Sequence, residues 1–471
     1  MKNFLPRVTG NVDACRKVGD GLGPMAYVDW SLKPEAEKRF RRGHPWIFSS
    51  DLDHSPGRIE AGQWARVRSR SGEFLAWGYG HPNSLISFRV LSRNPQFDPW
   101  HPEKLIQGLS DKLDQALALR MQAGVPMQSS FRWLYGEVDG VPGLICDLYL
   151  VHRAAAFLQT STRSWVAVLQ SSTAGADRMI DAVCSALESE AQKQGALRLI
   201  GPCLGVVIAR DSSARSMESL AHFPRSLRHF DCPGHAPLTE DELTCAVIEV
   251  EAAAQFTVDF INGQKTGFFL DQRGNTKLLC QILKARSTQP SNEFKVLDLF
   301  SYVGQWSVQV SQTLSALGKK AQCDIFDASA QALHLAKTNV ERAGGEAHTF
   351  ERDVLRAWEE IPVTHYDVVV CDPPALAKKK KDLPVAEAAY VKLFRESIRR
   401  VKDGGLIVIS SCSGLVDEEA FQKIASDAVL KSGRSVAWIA RGGHAADHPW
   451  RTEFPQGRYL KAQIGIVTER L

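Results

Sequence analysis

The sequence predicts an α/β fold in which a largely parallel sheet occupies the C-terminal half of the chain. From about Val296 onward, short apolar runs alternate with segments of helical periodicity. Four of these runs carry an acidic residue at or near their C-terminal end, namely Asp298, Asp327, Asp353 and Asp372. Such alternation is typical of parallel strands joined by helices. Because ligands collect beyond the carboxyl ends of such strands, the four carboxylates predict a binding site at one edge of the sheet.

The first strand of this sheet runs into a loop that ends at Gly304, and helices are predicted over 305–317 and 330–343. A dinucleotide-binding loop needs three glycines where the pyrophosphate approaches the backbone, and this loop keeps only the last of them. The loss argues against NAD and FAD, whereas S-adenosylmethionine, which has no phosphates, is compatible. Taken alone, the loop favours an ordinary strand, turn and helix, and the row of acidic strand ends reverses that preference.

Individual cofactor contacts follow from the positions of these residues. A carboxylate after the second strand can accept hydrogen bonds from both hydroxyls of a ribose, which is the role predicted for Asp327. Asp353 is predicted to accept a hydrogen bond from the adenine amino group, while the first loop approaches the amino-acid part of the cofactor. The predicted cofactor-binding residues of that loop are Asp298, Phe300, Ser301, Tyr302 and Gly304.

A thiol and a carboxylate follow two consecutive predicted strands. The apolar run 406–411 ends at Cys412, and the run 368–371 leads into Asp372 and two prolines. Together they suggest a covalent enzyme that acts on a flat ring, with Cys412 as the nucleophile. The alternative is an inert buried thiol, because free cysteine is among the most buried residue types. Cys371 points to the strand face opposite Asp372, which favours the buried interpretation there.

The N-terminal half predicts two smaller domains. Short apolar runs between Trp64 and Val90, punctuated by glycine and proline, predict a compact β barrel, and a linker follows over 94–102. The predicted elements of the middle region are a helix over 104–123, strands over 133–156 and 198–209, and a helix over 178–194.

Six stretches of the sequence together resemble one protein family. They are residues 41–48, 263–273, 296–304, 372–378, 410–414 and 445–449. The sequence closely resembles the large-subunit ribosomal RNA methyltransferase I family, S-adenosylmethionine-dependent class I enzymes that make 5-methylcytosine in 23S ribosomal RNA. The resemblance implies a Rossmann-like methyltransferase domain, a β-rich PUA-type RNA-binding domain, a middle α+β domain and an N-terminal extension without a counterpart. The corresponding ranges are 239–471, 28–100, 101–238 and 1–27.

The same resemblance implies the activity, the cofactor and the partner. S-adenosylmethionine is the methyl donor, 23S ribosomal RNA is the substrate, and Cys412 attacks carbon 6 of the target cytosine so that carbon 5 becomes nucleophilic. Asp372 is expected to bind the exocyclic amine or ring nitrogen of the base and, together with Gln272, to lie at the cofactor. The sequence does not identify the general base that removes the carbon 5 proton. It also leaves the oligomeric state open, a homodimer included.

Two departures from the family pattern keep alternatives open. Gln305 stands where a second glycine commonly follows Gly304, and the arginine often seen shortly before Tyr390 is missing. One alternative is methylation of a guanine ring nitrogen in ribosomal RNA, which needs no nucleophilic cysteine. The other is an RNA-binding or ribosome-assembly protein with a vestigial cofactor fold.

Composition indicates the setting. The net charge of the 471 residues is only +4, but residues 30–95 hold eleven Lys or Arg against six Asp or Glu. Arginine interleaved with aromatic residues suits structured RNA, although a small β domain with a solvated basic face is the alternative.

No apolar stretch approaches a membrane span, and ten scattered cysteines fit a cytoplasmic protein. His444 and His448 lack cysteines at metal spacing, so no metal site is predicted. The ring-bearing residues of the basic region are Phe40, His44, Trp46, Phe48 and Trp64.

Overall fold

A computed structural model describes residues 28–53, 59–154, 161–193, 201–286, 291–356, 358–377 and 379–469. Within these residues the chain forms three sheets that follow one another in sequence. The N-terminal extension lies outside the described residues, as do the ends of predicted elements at 155–156, 194 and 198–200.

The N-terminal domain is a five-stranded sheet with one helix. Its elements are β1 (Val28–Ser31), α1 (Pro34–Arg41), β2 (Trp46–Phe48), β3 (Trp64–Arg68), β4 (Phe74–Gly80) and β5 (Ile86–Ser92). The strand order is β1-β3-β4-β5-β2, and a bridge between Leu32 and Leu52 joins the ends of the two edge strands. Val67 and Phe88 are fully buried inside. The sheet therefore closes into a small barrel, as the sequence predicts.

The middle domain packs helices against a second sheet. Its elements are α2 (Pro102–Gln122), β6 (Phe131–Tyr135), β7 (Leu144–Ala154), β8 (Ser161–Ser171), α3 (Ala174–Gln192), β9 (Cys203–Arg210), β10 (Phe223–His229), α4 (Glu240–Thr244), β11 (Ala246–Val250) and β12 (Ala254–Val258). The strand order is β10-β9-β8-β7-β11-β12, with β6 paired to β7.

Two features of this domain differ from the sequence expectation. The predicted strand over 133–156 is two strands, β6 and β7, because Gly140 and Gly143 adopt φ values of 73° and 72° between them. Such left-handed conformations suit glycine and end an extended strand. In addition, β11 and β12 join this sheet although they follow residue 238, where the sequence places the domain boundary.

The C-terminal domain is a doubly wound sheet. Its elements are α5 (Arg273–Ala285), β13 (Glu293–Leu299), α6 (Gln305–Ala316), β14 (Lys320–Asp327), α7 (Ala330–Arg342), β15 (Glu346–Glu351), β16 (Tyr366–Cys371), α8 (Leu383–Arg400), β17 (Val401–Ser411), α9 (Glu418–Ser432), β18 (Arg434–Gly442) and β19 (Lys461–Glu469). The strand order is β15-β14-β13-β16-β17-β19-β18. Pairing is parallel from β15 through β17, and β19 runs antiparallel to both its neighbours.

This sheet confirms the predicted parallel core. Helices α6 and α7 each end one residue before the predicted bounds of 317 and 343. The strand order reverses direction between β13 and β16, which creates a crevice beyond their carboxyl ends. Two helix starts are capped by side chains, since Ser329 accepts a hydrogen bond from Ala332 N at 3.2 Å before α7 and Asp417 accepts one from Ala420 N at 2.9 Å before α9.

The middle and C-terminal domains share one continuous apolar core. A single cluster of buried side chains includes Tyr149 of β7, Phe256 of β12, Leu279 of α5 and Val303 beside α6. Polar contacts reinforce the junction, because the backbone N–H of Arg132 donates to Asp447 at 2.9 Å and the Arg273 guanidinium donates to the carbonyl of Ser130 at 2.6 Å. The two domains are therefore held in one relative position, which matters for the site between them.

The barrel is anchored to the middle domain by buried polar groups. Arg89 lies between Glu137 and Glu218 at 2.8 and 3.3 Å, and Tyr79 donates a hydrogen bond to the carbonyl of Pro142 at 3.0 Å. Among the helices in the described part of the chain, none is long and apolar enough to cross a membrane.

A candidate active site between the middle and C-terminal domains

The carboxyl edge of the C-terminal sheet brings Asp372 and Cys412 together. Asp372 directly follows β16 and Cys412 directly follows β17, and these strands pair in parallel with Cys371 opposite Ile409. The Cys412 Sγ atom lies 3.8 Å from the carbonyl oxygen of Pro373. Both side chains are partly exposed. The thiol and the carboxylate therefore border the same space, as the two strand ends suggest.

Asp372 is held by three donors. Gln272 Nε2 and the Ser410 hydroxyl donate to Oδ1, the former at 2.8 Å, and the Trp306 indole donates to Oδ2 at 3.1 Å. Burial nevertheless raises the pKa of Asp372, while the hydrogen bonds oppose the rise. The group is therefore easier to protonate than an ordinary aspartate.

The side chain of Gln272 is engaged at both ends. Its amide nitrogen serves Asp372, and its Oε1 accepts a hydrogen bond from Asn275 at 2.6 Å. The structure thus shows a residue that fixes the carboxylate turn, while its predicted contact with the cofactor stays a prediction.

The two cysteines of this edge differ in environment. Cys371 is fully buried, and burial raises its pKa to about 12. Cys412 is partly exposed; burial raises its pKa too, but the ammonium of Lys265 works in the opposite direction. Only Cys412 therefore combines access with a nearby cation that favours the thiolate.

The loop between β13 and α6 has an unusual backbone. Phe300, Tyr302 and Gly304 have φ values of 63°, 50° and 80°, and the left-handed region is costly for the two aromatic residues. Hydrogen bonds hold the loop in place, since Phe300 N and Ser301 N both donate to the carbonyl of Phe326 at 2.9 and 3.1 Å. Such maintained strain is typical of a ligand-binding loop.

Three polar groups around this loop are buried without a partner in the described residues. They are Asp298 Oδ1, Ser301 Oγ and Gln305 Nε2. Asp298 itself is fully buried and its Oδ2 accepts hydrogen bonds from the Ser307 backbone and hydroxyl at 3.2 and 2.7 Å, so it faces the start of α6. Burial raises the pKa of Asp298 to about 7. Buried polar atoms are normally satisfied, so this group of atoms indicates that a ligand binds here.

Asp327 is the last residue of β14, and Asp353 lies two residues beyond the neighbouring strand β15. Asp327 is half-buried and its two oxygens accept one backbone hydrogen bond each, from Tyr302 N and Ser329 N, both at 2.9 Å. Asp353 is exposed and accepts one hydrogen bond from Leu355 N at 3.1 Å. A carboxylate offers about four acceptor positions, so both groups retain capacity for a ligand.

A cleft of about 540 Å³ opens between the middle and C-terminal domains. Arg132 and Tyr135 line it from the middle domain, and Lys265, Asp271 and Tyr459 line it from the C-terminal side. The sequence interpretation missed these residues. Lys265 and Asp271 lie inside the stretch 263–273 that carries the family resemblance, but nothing in their spacing indicated that they line a cleft.

The basic face of the barrel is more strongly neutralised than its composition suggests. Arg66 pairs with Asp29 at 2.5 Å, and Arg41 pairs with Glu73 at 2.6 Å. Phe40 and Trp64, two of the rings expected to interleave with arginine, are buried in the core. They support the fold and are not available to stack on bases. Within the described residues, no three His, Cys, Asp or Glu side chains are grouped so that they could hold a metal ion.

Comparison with known proteins gives two family matches along the chain. Residues 31–93 match the PUA-like domain and residues 269–430 match the methyltransferase small domain. The chain is 31% identical to the ribosomal RNA large subunit methyltransferase I of Alteromonas mediterranea, over 93% of this chain and 98% of the relative. It is 32% identical to the protein of the same name from Aliivibrio fischeri, over 90% of this chain and 96% of the relative.

Solved structures share the whole architecture. A protein from Streptococcus mutans, described as a SAM-dependent methyltransferase, superposes with a TM-score of 0.64 at 17% identity and covers 93% of this chain and 100% of its own. A second, described as a methyltransferase complexed with SAH, gives a TM-score of 0.62 at 19% identity over the same shares. The fold expected from the sequence is confirmed, including the PUA-like N-terminal domain.

Proposed function

This chain belongs to the ribosomal RNA large subunit methyltransferase I family, and from that premise we propose that it methylates carbon 5 of a cytosine in 23S ribosomal RNA through a covalent bond to Cys412. Family membership gives an S-adenosylmethionine-dependent enzyme that methylates large-subunit ribosomal RNA. The choice of base and the covalent route are what the proposal adds. It is carried by the position of Cys412 beside Asp372, at the ends of two adjacent parallel strands.

The residues around the first loop fit S-adenosylmethionine. The buried hydroxyl of Ser301 and amide nitrogen of Gln305 lack partners in the described part of the chain, and both can donate to the cofactor carboxylate. The remaining acceptor positions on Asp327 suit the two ribose hydroxyls, and those on Asp353 suit the adenine amino group. When bound there, S-adenosylmethionine supplies an electrophilic methyl group.

A thiol is needed because carbon 5 of cytosine is a weak nucleophile. The resting thiol of Cys412 is protonated at neutral pH, since burial raises its pKa, so deprotonation precedes attack and Lys265 favours it. The Sγ thiolate then adds to carbon 6, and the electron pair of the carbon 5–carbon 6 double bond gives carbon 5 enamine character.

Asp372 is suited to the opposite side of the ring. Addition at carbon 6 increases the electron density on the ring nitrogen, and a carboxyl group with a raised pKa can donate a hydrogen bond or a proton to it. Gln272, Ser410 and Trp306 keep this group at the end of β16. The contact with Asp372 also gives a role to Trp306, which follows the departure from the family pattern at Gln305.

The interdomain cleft is suited to a flipped nucleotide. Its volume of about 540 Å³ is in the range of small-molecule sites, and its lining combines the cations Arg132 and Lys265 with Tyr135. Cationic and aromatic groups together favour an unstacked RNA base and its phosphates.

The cysteines bear on where the protein acts. Every cysteine of the described residues has a free thiol, which together with a ribosomal RNA substrate supports a cytoplasmic location.

The decisive experiment compares Cys412→Ala with Cys371→Ala as the matched control. We expect Cys412→Ala to abolish 5-methylcytosine formation and to retain cofactor affinity, because the thiolate contacts the base and not the methyl donor. Cys371→Ala should remain active, since that thiol is buried on the other face of its strand. Modified nucleosides are measured by mass spectrometry of large-subunit ribosomal RNA.

RNA that carries 5-fluorocytosine at the target adds a direct test of the covalent bond. Fluorine takes the place of the hydrogen on carbon 5, so no proton can be removed there after methyl transfer and the carbon 6–sulfur bond persists. The wild-type enzyme should therefore form a denaturant-stable adduct that Cys412→Ala does not form. An active Cys412→Ala enzyme with no trapped adduct would contradict the covalent mechanism and favour guanine ring-nitrogen methylation. Cofactor binding without any methylation by the wild-type protein would favour a non-catalytic RNA-binding role.

A further inference from the structure

Asp271 is a buried carboxylate that the fold leaves partly unsatisfied. It lies just before α5 and is only 5% exposed. Its Oδ2 accepts a hydrogen bond from the Tyr459 hydroxyl at 2.7 Å, whereas Oδ1 has no hydrogen-bond partner in the described part of the chain. A buried carboxylate oxygen without a partner is unfavourable and points to a ligand or a catalytic role.

The position of Asp271 connects it to the reacting groups. It lines the interdomain cleft, and the next residue, Gln272, donates the 2.8 Å hydrogen bond to Asp372. Its partner Tyr459 is packed close to Gly414, since a Cβ added to that glycine would lie 3.9 Å from Tyr459 Cβ. Gly414 is two residues past Cys412. Asp271 therefore lines the cleft, and its charge is near enough to act on the pKa of both Cys412 and Asp372.

The pKa values of Asp271 and Asp372 are shifted in opposite directions. Burial disfavours the charged form of Asp271, but the charges of Lys265, His448 and Arg132 and the hydrogen bond from Tyr459 together outweigh it, so the pKa of Asp271 is below its usual value. Burial dominates at Asp372 and raises its pKa. A pair of carboxyl groups whose pKa values are pushed apart is the usual division between a base and an acid.

We propose that Asp271 is the general base that removes the carbon 5 proton of the target cytosine. The inference rests on the proposed cytosine methylation and adds the residue that completes it. After methylation, carbon 5 carries both the new methyl group and its original hydrogen, and carbon 6 is bonded to Cys412 Sγ. Asp271 Oδ1 takes that hydrogen as a proton, and the carbon–hydrogen electron pair restores the carbon 5–carbon 6 double bond.

The same step releases the enzyme. As the double bond forms, the carbon 6–sulfur bond breaks and its electron pair leaves on Sγ, so Cys412 is returned as a thiolate. The protonated Asp271 then passes its proton to water in the cleft, and no oxidant or reductant is needed. Tyr459 is a positioning residue, because its hydroxyl fixes Oδ2 while Oδ1 has no partner in the described part of the chain.

The test uses Asp271→Asn, which keeps the shape and removes the base. Full-length protein is incubated with a large-subunit ribosomal RNA transcript and S-adenosylmethionine labelled in the methyl group. Because proton removal follows methyl transfer, Asp271→Asn should accumulate a denaturant-stable protein–RNA adduct that contains the label. Release of 5-methylcytosine should fall at least about 100-fold, the lower range for loss of a general base. Asp181→Asn, whose side chain is fully exposed on the middle domain, is the matched control and should release product normally.

The outcomes separate the two proposals. Normal release by Asp271→Asn, or loss of release without any labelled adduct, would overturn the role of Asp271; neither result in the variant contradicts cytosine methylation by the wild-type enzyme. Failure of the wild-type enzyme to form the 5-fluorocytosine adduct would instead overturn the covalent mechanism. If Asp271→Asn does not fold, Tyr459→Phe takes its place and should lengthen the lifetime of the labelled adduct. An adduct lifetime equal to that of the wild type in Tyr459→Phe would count against the proposal.

Discussion

Asp327→Ala is the most direct test of how the C-terminal sheet holds its cofactor. The substitution removes a half-buried carboxylate whose two oxygens each accept one backbone hydrogen bond, from Tyr302 N and Ser329 N at 2.9 Å. It therefore affects two things at once. The ribose loses its acceptor, and the strained loop loses one of the contacts that keep Tyr302 in the left-handed region.

The expected magnitude follows from the number of contacts. A net hydrogen bond to a charged group contributes about 1.5–3 kcal/mol, and the carboxylate has capacity for two ribose hydroxyls. Water can replace part of this at a half-buried site, so we expect a loss of about 1–3 kcal/mol in binding free energy. This corresponds to a dissociation constant raised about 5- to 150-fold. Asp327→Asn retains the shape and one carbonyl acceptor, and should lose less.

Calorimetric titration with S-adenosylmethionine measures the effect. Asp324→Asn is the matched control, because Asp324 lies on the same strand but accepts its hydrogen bond from Tyr366 at 2.7 Å. It should leave cofactor affinity unchanged. Unchanged affinity in Asp327→Ala, with an unchanged melting temperature, would refute the proposal that Asp327 binds the ribose. The unpartnered polar atoms around Ser301 would then be the next candidates for the cofactor contact.

Two further predictions concern stability and pH. Arg89→Ala leaves two partly or fully buried glutamates without their cation, so the free energy of unfolding, measured with denaturant, should fall by about 3–5 kcal/mol. Arg178 forms an exposed ion pair at the same domain junction, and Arg178→Ala should lower it by less than about 1 kcal/mol. Equal losses would show that burial at Arg89 does not matter. Alkylation of Cys412 should accelerate as pH rises through the raised pKa of its thiol, and Lys265→Met should move that profile to higher pH because the ammonium favours the thiolate. Coincident profiles, measured with iodoacetamide, would rule out the electrostatic role of Lys265.

The structure explains how the chain accommodates Gln305 and Trp306 directly after Gly304. Gln305 begins α6 without disturbing it, and its buried amide nitrogen faces a site with other unpartnered polar atoms. Trp306 reaches across to Asp372 at 3.1 Å. The loss of the second glycine therefore adds polar groups at the cofactor loop and leaves the helix start intact.

The sequence alone determined the parallel sheet, the barrel and the strand ends that carry Asp298, Asp327, Asp372 and Cys412. These are local properties, because hydrophobic periodicity and turn residues decide where a strand ends, and parallel strands place their carboxyl ends at one edge. The sequence also indicated that Cys371 is buried, since alternate strand residues point to opposite faces.

Only the tertiary structure decided what those residues contact. Asp271 and Asp372 are 101 residues apart. Their pKa values shift in opposite directions because the charge of Lys265 helps to lower the one and burial raises the other. The extension of the middle sheet past residue 238 likewise depends on pairing with β7. Electrostatic fields and hydrogen-bond satisfaction depend on groups brought together across the whole chain, so sequence spacing could name the acidic strand ends but could not reveal Asp271 as the candidate base.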